Sequence, residues 1–483
     1  MYEMSAPNGS VMTSPISAAD IAARVDRLPI TRWHLKIRSI LGMATFFDGF
    51  DAIAIAFVIP ALIQEWHLKP AEIGFLLSSG FAGQLIGAPL FGYLAERYGR
   101  IRVLNWTILI LSVFGLACSF AWSVWSLALF RFLQGWGIGG EIPVAATYVS
   151  EIAKSSQRGR FLSLYQLMLP VGFLAASVTS IFVVPHLGWQ WMFVIGAVPA
   201  LLTIILRRLV PESPRWLARN GQTIAADRIL SKIETVVQTQ SGKPLPAPEQ
   251  VTASQASTQG RFSHLFHPLY LKRTLLVWVL WFCSSMILYG LMTWLPTIFR
   301  TRYHMSTSEA LTYSVAGNLV LLISGLICAI VLDRIARRTF FVGAFVLASL
   351  PLIVLHFVTK DASAITMMSL AALASMMVSF ANLGVWTYTP ELYPTGVRSI
   401  GVGTASAFAR VASIVGPNVV GLFMAYADLS AVFLMFAVVG LVGALTVGLL
   451  GVETRGRLLE DVSPEIDQTM DGVRSVSGLV QTK

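Results

Sequence analysis

The sequence predicts an all-α polytopic membrane protein, twelve transmembrane helices arranged as two pseudo-symmetric six-helix bundles. Three observations carry that prediction. The 483 residues are 55% hydrophobic and 12% charged, with a mean hydropathy of +0.68, whereas soluble domains are roughly 25% charged. Twelve apolar runs follow one another, most of them about the ~20 residues that a spanning helix needs. Finally, two charged loop patterns recur half a chain apart, as a duplicated bundle would require.

The chain opens on a polar tail, residues 1–38, with no apolar core followed by a small-residue cleavage site, so no signal peptide is expected. The runs of the first bundle, residues 39–209, are 39–63, 73–94, 103–121, 127–149, 161–184 and 189–209. A connection follows over 210–273. Its stretch Gly221 to Val237 reads as a short amphipathic helix, and Gln238 to Gly260 is rich in Gln, Ser, Thr and Pro, which marks a linker. The second bundle, residues 274–452, has runs at 274–299, 310–332, 340–358, 364–389, 400–426 and 429–452, and 453–483 forms a polar tail.

Lysine and arginine orient the spans. Four of the 35, Lys69, Arg300, Arg302 and Lys360, lie in odd-numbered connections, and Arg131 and Arg410 lie deep within runs; all others fall on tails and even-numbered connections, counting Arg207 and Arg208 at the close of the sixth run with the connection that follows it. Both termini are therefore expected in the cytosol. The formal charge of +10 needs no nucleic-acid partner, because membrane orientation accounts for it. The expected surroundings are a lipid bilayer, with the chain acting as a monomer. Cys118, Cys283 and Cys328 sit inside apolar runs and form neither a metal-ligand pattern nor a disulfide framework. No phosphate-binding glycine loop of the Walker type occurs, which argues against ATP as the energy source.

After the second run the chain reads Glu96-Arg97-Tyr98-Gly99-Arg100, and after the eighth Asp333-Arg334-Ile335-Ala336-Arg337, an offset of 237 residues. After the fourth run, Tyr148, Glu151 and Arg158 correspond to Tyr388, Glu391 and Arg398 at an offset of 240. Glu96 and Asp333 can accept from helix N-termini across the cytosolic seam, with Arg97, Arg100, Arg334 and Arg337 closing ion pairs around them. These ten residues (Glu96, Arg97, Arg100, Asp333, Arg334, Arg337, Glu151, Arg158, Glu391 and Arg398) are the gating candidates; the plainer reading is that they only set topology.

Ionisable groups within spans are costly and are functional candidates by default. Asp48 stands nine residues into the first run, ~14 Å deep at ~1.5 Å per residue, and Asp51 lies one turn on, on the same helix face. Such a pair either carries a proton or is fixed by a neighbouring cation, for which Arg131 is the nearest candidate. Glu141, in Gly139-Gly140-Glu141-Ile142-Pro143, is a second proton candidate or a packed acid. Arg410 is ~16 Å deep in the eleventh run, with no acid of its own half at similar depth. An unpaired guanidinium there invites a substrate carboxylate held bidentately; the alternative is a bridge to Asp48 or Asp51 across the interface. Tyr289, Trp294, Asn318, Asn382, Trp386 and Gln166 are the further lining candidates: a flat, mostly apolar slot with one cationic end. The expectation is that acids and Arg410 face this one watery slot.

The loops resemble the signature loops of the major facilitator superfamily, from Ser39 to Val452. Pro211-Glu212-Ser213-Pro214-Arg215 resembles its sugar-porter-like branch, which is shared with organic-ion and organic-acid relatives. Departures are Glu96 where the family has Asp, and Ala329 and Ala336 where it has Gly. Asp48-Gly49-Phe50-Asp51 resembles the aromatic-acid:proton symporters, whose functional set also maps onto Arg131, Glu151, Arg398 and Arg410. Gly139 to Ala145, Leu187-Gly188-Trp189-Gln190, Trp294-Leu295-Pro296, Asn382-Leu383-Gly384, Tyr388 to Glu391 and Gly416-Pro417 resemble the niacin permeases. The resemblance implies a major facilitator fold and alternating access. It further implies proton-coupled uptake of a planar aromatic monocarboxylate, nicotinate first and a hydroxybenzoate-type acid second, in a plasma membrane (the inner membrane in a bacterium). The proton is the coupling ion and no cofactor is implied. An organic-ion or sugar-like porter and a non-transporting sensor stay as alternatives. Span 7 lacks the paired glutamines of sugar porters, and neither linker nor tail looks able to form a sensor's output domain.

Overall fold

The computed structural model describes residues 17–154, 157–248, 262–332 and 334–455. Its first element was not foreseen. Ser17 accepts from the Asp20 amide while Asp20 reaches back to the Ser17 amide, and this reciprocal cap starts helix α1 (Ala18–Asp26) inside the expected tail. The first bundle follows: α2 (Arg32–Trp66), α3 (Pro70–Tyr98), α4 (Arg100–Cys118), α5 (Val124–Ile152), α6 and α7 (Arg158–Gln166 and Met168–Leu187), and α8 and α9 (Gln190–Gly196 and Ala200–Leu209). After α10 (Pro214–Arg219) and α11 (Thr223–Ser241) come α12 (Pro268–Arg302), α13 (Thr307–Val331), α14 (Arg337–Val358), α15 (Ala364–Glu391), α16 (Thr395–Tyr426) and α17 (Leu429–Leu450). No strand occurs among the described residues.

Most spans overrun their apolar runs by a few residues, because polar helix ends stay helical in the interfacial region. Among the described residues, ten helices are long and apolar enough to cross a membrane. The fourth expected span is a 29-residue helix carrying Arg131 and Glu141, and the sixth is split before Ala200; neither is among the ten. The two repeats turn differently. Gly99 sits between α3 and α4 at φ 106°, where a side chain would be strained. Ala336 has φ −55°, so the second repeat needs no glycine there.

The bundles pack unevenly along their length. Toward the end remote from α1, one apolar core runs through both halves, from Phe57, Ile59 and Leu76 to Trp294, Phe299 and Phe433. At the other end the core is two separate clusters, one around Leu41, Tyr148 and Phe161 and another around Tyr270, Phe341 and Tyr393. The halves are thus joined at one end and parted at the other, the basic one. At the joined end α3 and α16 meet through glycines: a Cβ on Gly74 would lie 2.7 Å from the Pro417 carbonyl oxygen, and one on Gly421 would lie 2.6 Å from that of Pro70.

α1, α10 and α11 make a small cap on the first bundle. Ile21, Val25 and Leu28 bury against Trp216, Leu217, Leu230 and Ile233. Arg24 pairs with Asp227 at 2.5 Å and Glu234 at 2.7 Å, and Arg27 with Glu234 at 2.7 Å.

Candidate functional site

α5 sinks deeply between its neighbours because its glycines leave no side chain in the way; a Cβ on Gly137 would lie 2.7 Å from the Leu111 amide of α4. That packing brings Arg131, Gln134 and Glu141 against the middle of α2, where Asp48 and Asp51 stand. All five side chains are buried, and both aspartates are fully closed off. Neither Asp48 oxygen has a hydrogen-bond donor among the described residues; its side-chain neighbour is a second acid, Glu141. Glu141 accepts from Thr45 Oγ1 at 3.2 Å, and that hydroxyl lies 2.5 Å from the Tyr165 hydroxyl of α6.

Asp51 has different company. The Arg131 guanidinium is close enough to act on it, yet Arg131 Nη1 donates to the Asp51 backbone oxygen at 3.0 Å and to Gln134 Oε1 at 2.7 Å. Both Asp51 carboxylate oxygens are without a hydrogen bond among the described residues, and the group packs on Gly196 of α8. The expected counter-charge is therefore adjacent without forming an ion pair.

Arg410 of α16 lies in the other half. It donates to the Ser406 carbonyl at 3.2 Å, its Nε has no partner, and it forms no ion pair among the described residues. Tyr289 of α12 is its electrostatic neighbour. The Tyr289 ring meets Phe81 of α3 across the boundary between halves, with centroids 5.1 Å apart. The expected common slot is corrected here: the acids are sealed inside the first bundle, while Arg410 and Tyr289 stand at the meeting of the two.

The remaining lining candidates scatter. Trp294 is packed away at 1% exposure and donates to the Pro417 carbonyl at 3.1 Å, so it supports a helix contact. Asn382 donates to Ser284 and Ser285 at 3.3 and 3.2 Å. Trp386 meets Trp281 edge-on at 4.6 Å and is 40% exposed. Asn318 is buried on α13, and Gln166 is half-buried where α6 gives way to α7. Phe81, Thr45 and Tyr165 escaped the sequence reading, since a phenylalanine, a threonine and a tyrosine in apolar runs carry no signal of their own.

The basic end repeats its geometry. Arg100 pairs with Glu96 at 2.8 Å and Glu151 at 3.0 Å, and Arg337 pairs with Glu391 at 3.1 Å. Glu212 accepts the first amides of α4, from Arg100 at 2.9 Å and Ile101 at 3.1 Å; Glu453 accepts those of α14, from Arg337 at 2.9 Å and Arg338 at 3.3 Å. Tyr148 donates to the Pro211 carbonyl and Tyr388 to the Val452 carbonyl, each at 2.7 Å. Two expectations change here. The acids on the helix N-termini are Glu212 and Glu453, and these ion pairs lie within each half instead of across the seam. Burial pushes the Glu212 carboxyl up, opposed by the amides of Ser213, Arg100 and Ile101. Glu96 also pairs with Arg219 of α10. Arg97 lies over the Tyr98 ring at 5.5 Å, Arg398 donates to the Tyr393 carbonyl at 3.3 Å, Arg158 is half-buried with Nε unpartnered, and Arg334 is exposed. Asp333 lies outside the described residues.

Two six-helix bundles, joined at one end, parted at the other and carrying buried charge midway, define a secondary transporter of the major facilitator superfamily. The family model described as "Sugar (and other) transporter" matches residues 43–465, and the chain belongs to that family. It is 35% identical over 456 residues to the niacin transporter NiaP of Acinetobacter baylyi, covering 92% of this chain and 99% of that one. To the putative niacin/nicotinamide transporter NiaP of Bacillus subtilis it is 30% identical over 434 residues, covering 88% and 98%. The inward open xylose transporter XylE of E. coli matches at a TM-score of 0.68 and 18% identity, over 89% of this chain and 99% of that one; at that identity the likeness concerns the fold. The protein is a multi-pass membrane transporter for a small organic substrate, and not an enzyme.

Proposed function

We propose that the chain imports a planar aromatic monocarboxylate, nicotinate foremost, in symport with protons, across a bacterial-type inner membrane with both termini in the cytosol. One observation carries the reading. Arg410 is a half-buried guanidinium with a buried, unpartnered Nε and no ion pair among the described residues, beside Tyr289 and the Phe81 face. A carboxylate satisfies the guanidinium and a flat ring suits the aromatic pair. The two relatives named for niacin point the same way.

With the basic end in the cytosol, the arrangement is inward-facing: the outer end is closed by the Gly74 and Gly421 contacts, and the inner end is parted. Proton coupling falls within the buried group of Asp48, Asp51, Glu141 and Arg131, not every member of which need carry the proton, and the chain works as a monomer with no cofactor besides the proton. Because the acids are walled off from Arg410, they act on transport through the packing of α2 against α5 instead of by trading places with the substrate. Uptake of labelled nicotinate by proteoliposomes under an imposed pH gradient tests this. Competition by hydroxybenzoate and none by a hexose or an organic cation is expected; inhibition by hexose alone would refute it.

A further inference from the structure

Asp48 and Glu141 face one another from α2 and α5, both fully buried. Two carboxylates in contact without water cannot both stay ionised. The other groups around them are few. Thr45 and Tyr165 offer hydroxyls from α2 and α6. Asp51 lies on α2 beside Arg131 and Gln134 of α5, with Cys118 of α4 near that guanidinium. The one cation of the group thus belongs to the Asp51 side, and the Asp48 oxygens are left with no donor.

We propose that the coupling proton is held between Asp48 and Glu141, positioned by the Thr45 and Tyr165 hydroxyls, and that Asp51 is the charge partner of Arg131 and does not cycle. This rests on the proton-symport reading above. In the inward-facing arrangement the pair shares a proton as O–H···O between the two carboxyls. The proton leaves to a water molecule when movement of α2 against α5 admits one, leaving two hydrated carboxylates. Thr45 Oγ1 fixes the Glu141 carboxyl for that exchange, so Thr45 and Tyr165 are positioning residues.

The experiment is nicotinate uptake by the purified full-length protein in proteoliposomes, with each variant's fold checked by its thermal unfolding. A gradient of about one pH unit supports about tenfold accumulation for one-proton symport. Asp48→Asn and Glu141→Gln should abolish that accumulation and give counterflow exchange whose rate no longer varies with pH. Thr45→Val and Tyr165→Phe should shift the pH profile of uptake, and Thr45→Ser should restore it; these report even if a carboxyl variant fails to fold. Wild-type accumulation that ignores the pH gradient would overturn the symport reading and this assignment with it. Gradient-driven wild-type uptake with an unimpaired Glu141→Gln, or uncoupling by Asp51→Asn alone, would overturn this assignment only.

Discussion

Gly74 and Pro417 meet backbone to backbone across the boundary between the halves, with no room for even a Cβ between them. A bulky side chain at Gly74 is incompatible with the joined end. Gly74→Trp should therefore hold that end apart and reduce nicotinate uptake by roughly tenfold or more, a factor worth ~1.4 kcal/mol of conformational bias. Labelling of single cysteines placed along the outer part of α12 should rise in the variant. Unchanged labelling would show that this contact does not close the outer end.

Arg410→Lys keeps the charge and loses the planar fork. A charge-assisted hydrogen bond is worth about 1.5–3 kcal/mol, so the Kd for nicotinate should rise roughly ten- to hundredfold. Arg410→Ala should bind less still. Calorimetric titration of detergent-purified protein measures both, and wild-type affinity in Arg410→Lys would remove the residue from the site.

Glu212 and Glu453 each accept the leading amides of a spanning helix. Replacing Glu212 by Ala leaves buried donors without acceptors, at a cost of about 1–3 kcal/mol. The unfolding temperature should drop by a few degrees, and Glu453→Ala should behave alike in the second half. Equal stability of wild type and Glu212→Ala would make the cap dispensable.

The cap formed by α1, α10 and α11 should loosen in acid. Burial raises the Glu234 carboxyl, but the Arg24 and Arg27 guanidiniums outweigh it and hold the group below the ordinary carboxylate range. Its contribution is complete above the unfolded value of about 4.3 and fades as pH falls through the lower folded value. Amide exchange of Ile21 to Val25, corrected for the intrinsic pH dependence, should accelerate over that interval and not at neutral pH. Glu234→Gln should show the faster exchange already at pH 7.

Much of the fold was readable because apolar length reports directly on helices able to span a bilayer. The pairing of Arg100 with Glu151 and of Arg337 with Glu391 follows the repeat offsets. Those offsets could not tell whether a pair closes within a half or between halves, since both choices use the same residues. Glu212 and Glu453 did leave a trace: they are 241 residues apart, each just past the last apolar run of its half. The sealing of Asp48 and Asp51 left none, because depth along a helix fixes height in the membrane and leaves the facing neighbour open. α1 was hidden by its brevity, and it is stable through Trp216, Leu230 and the Glu234 pairs, all some two hundred residues away.

The unequal turns after α3 and before α14 also bear on how the two copies can drift. Position 99 tolerates one amino acid, whereas position 336 already houses an alanine in relaxed backbone. The bend that takes a glycine-only backbone in the first copy is made by ordinary backbone in the second. Mutational scanning should find a brittle hinge in one half and a permissive one in the other, despite their common origin.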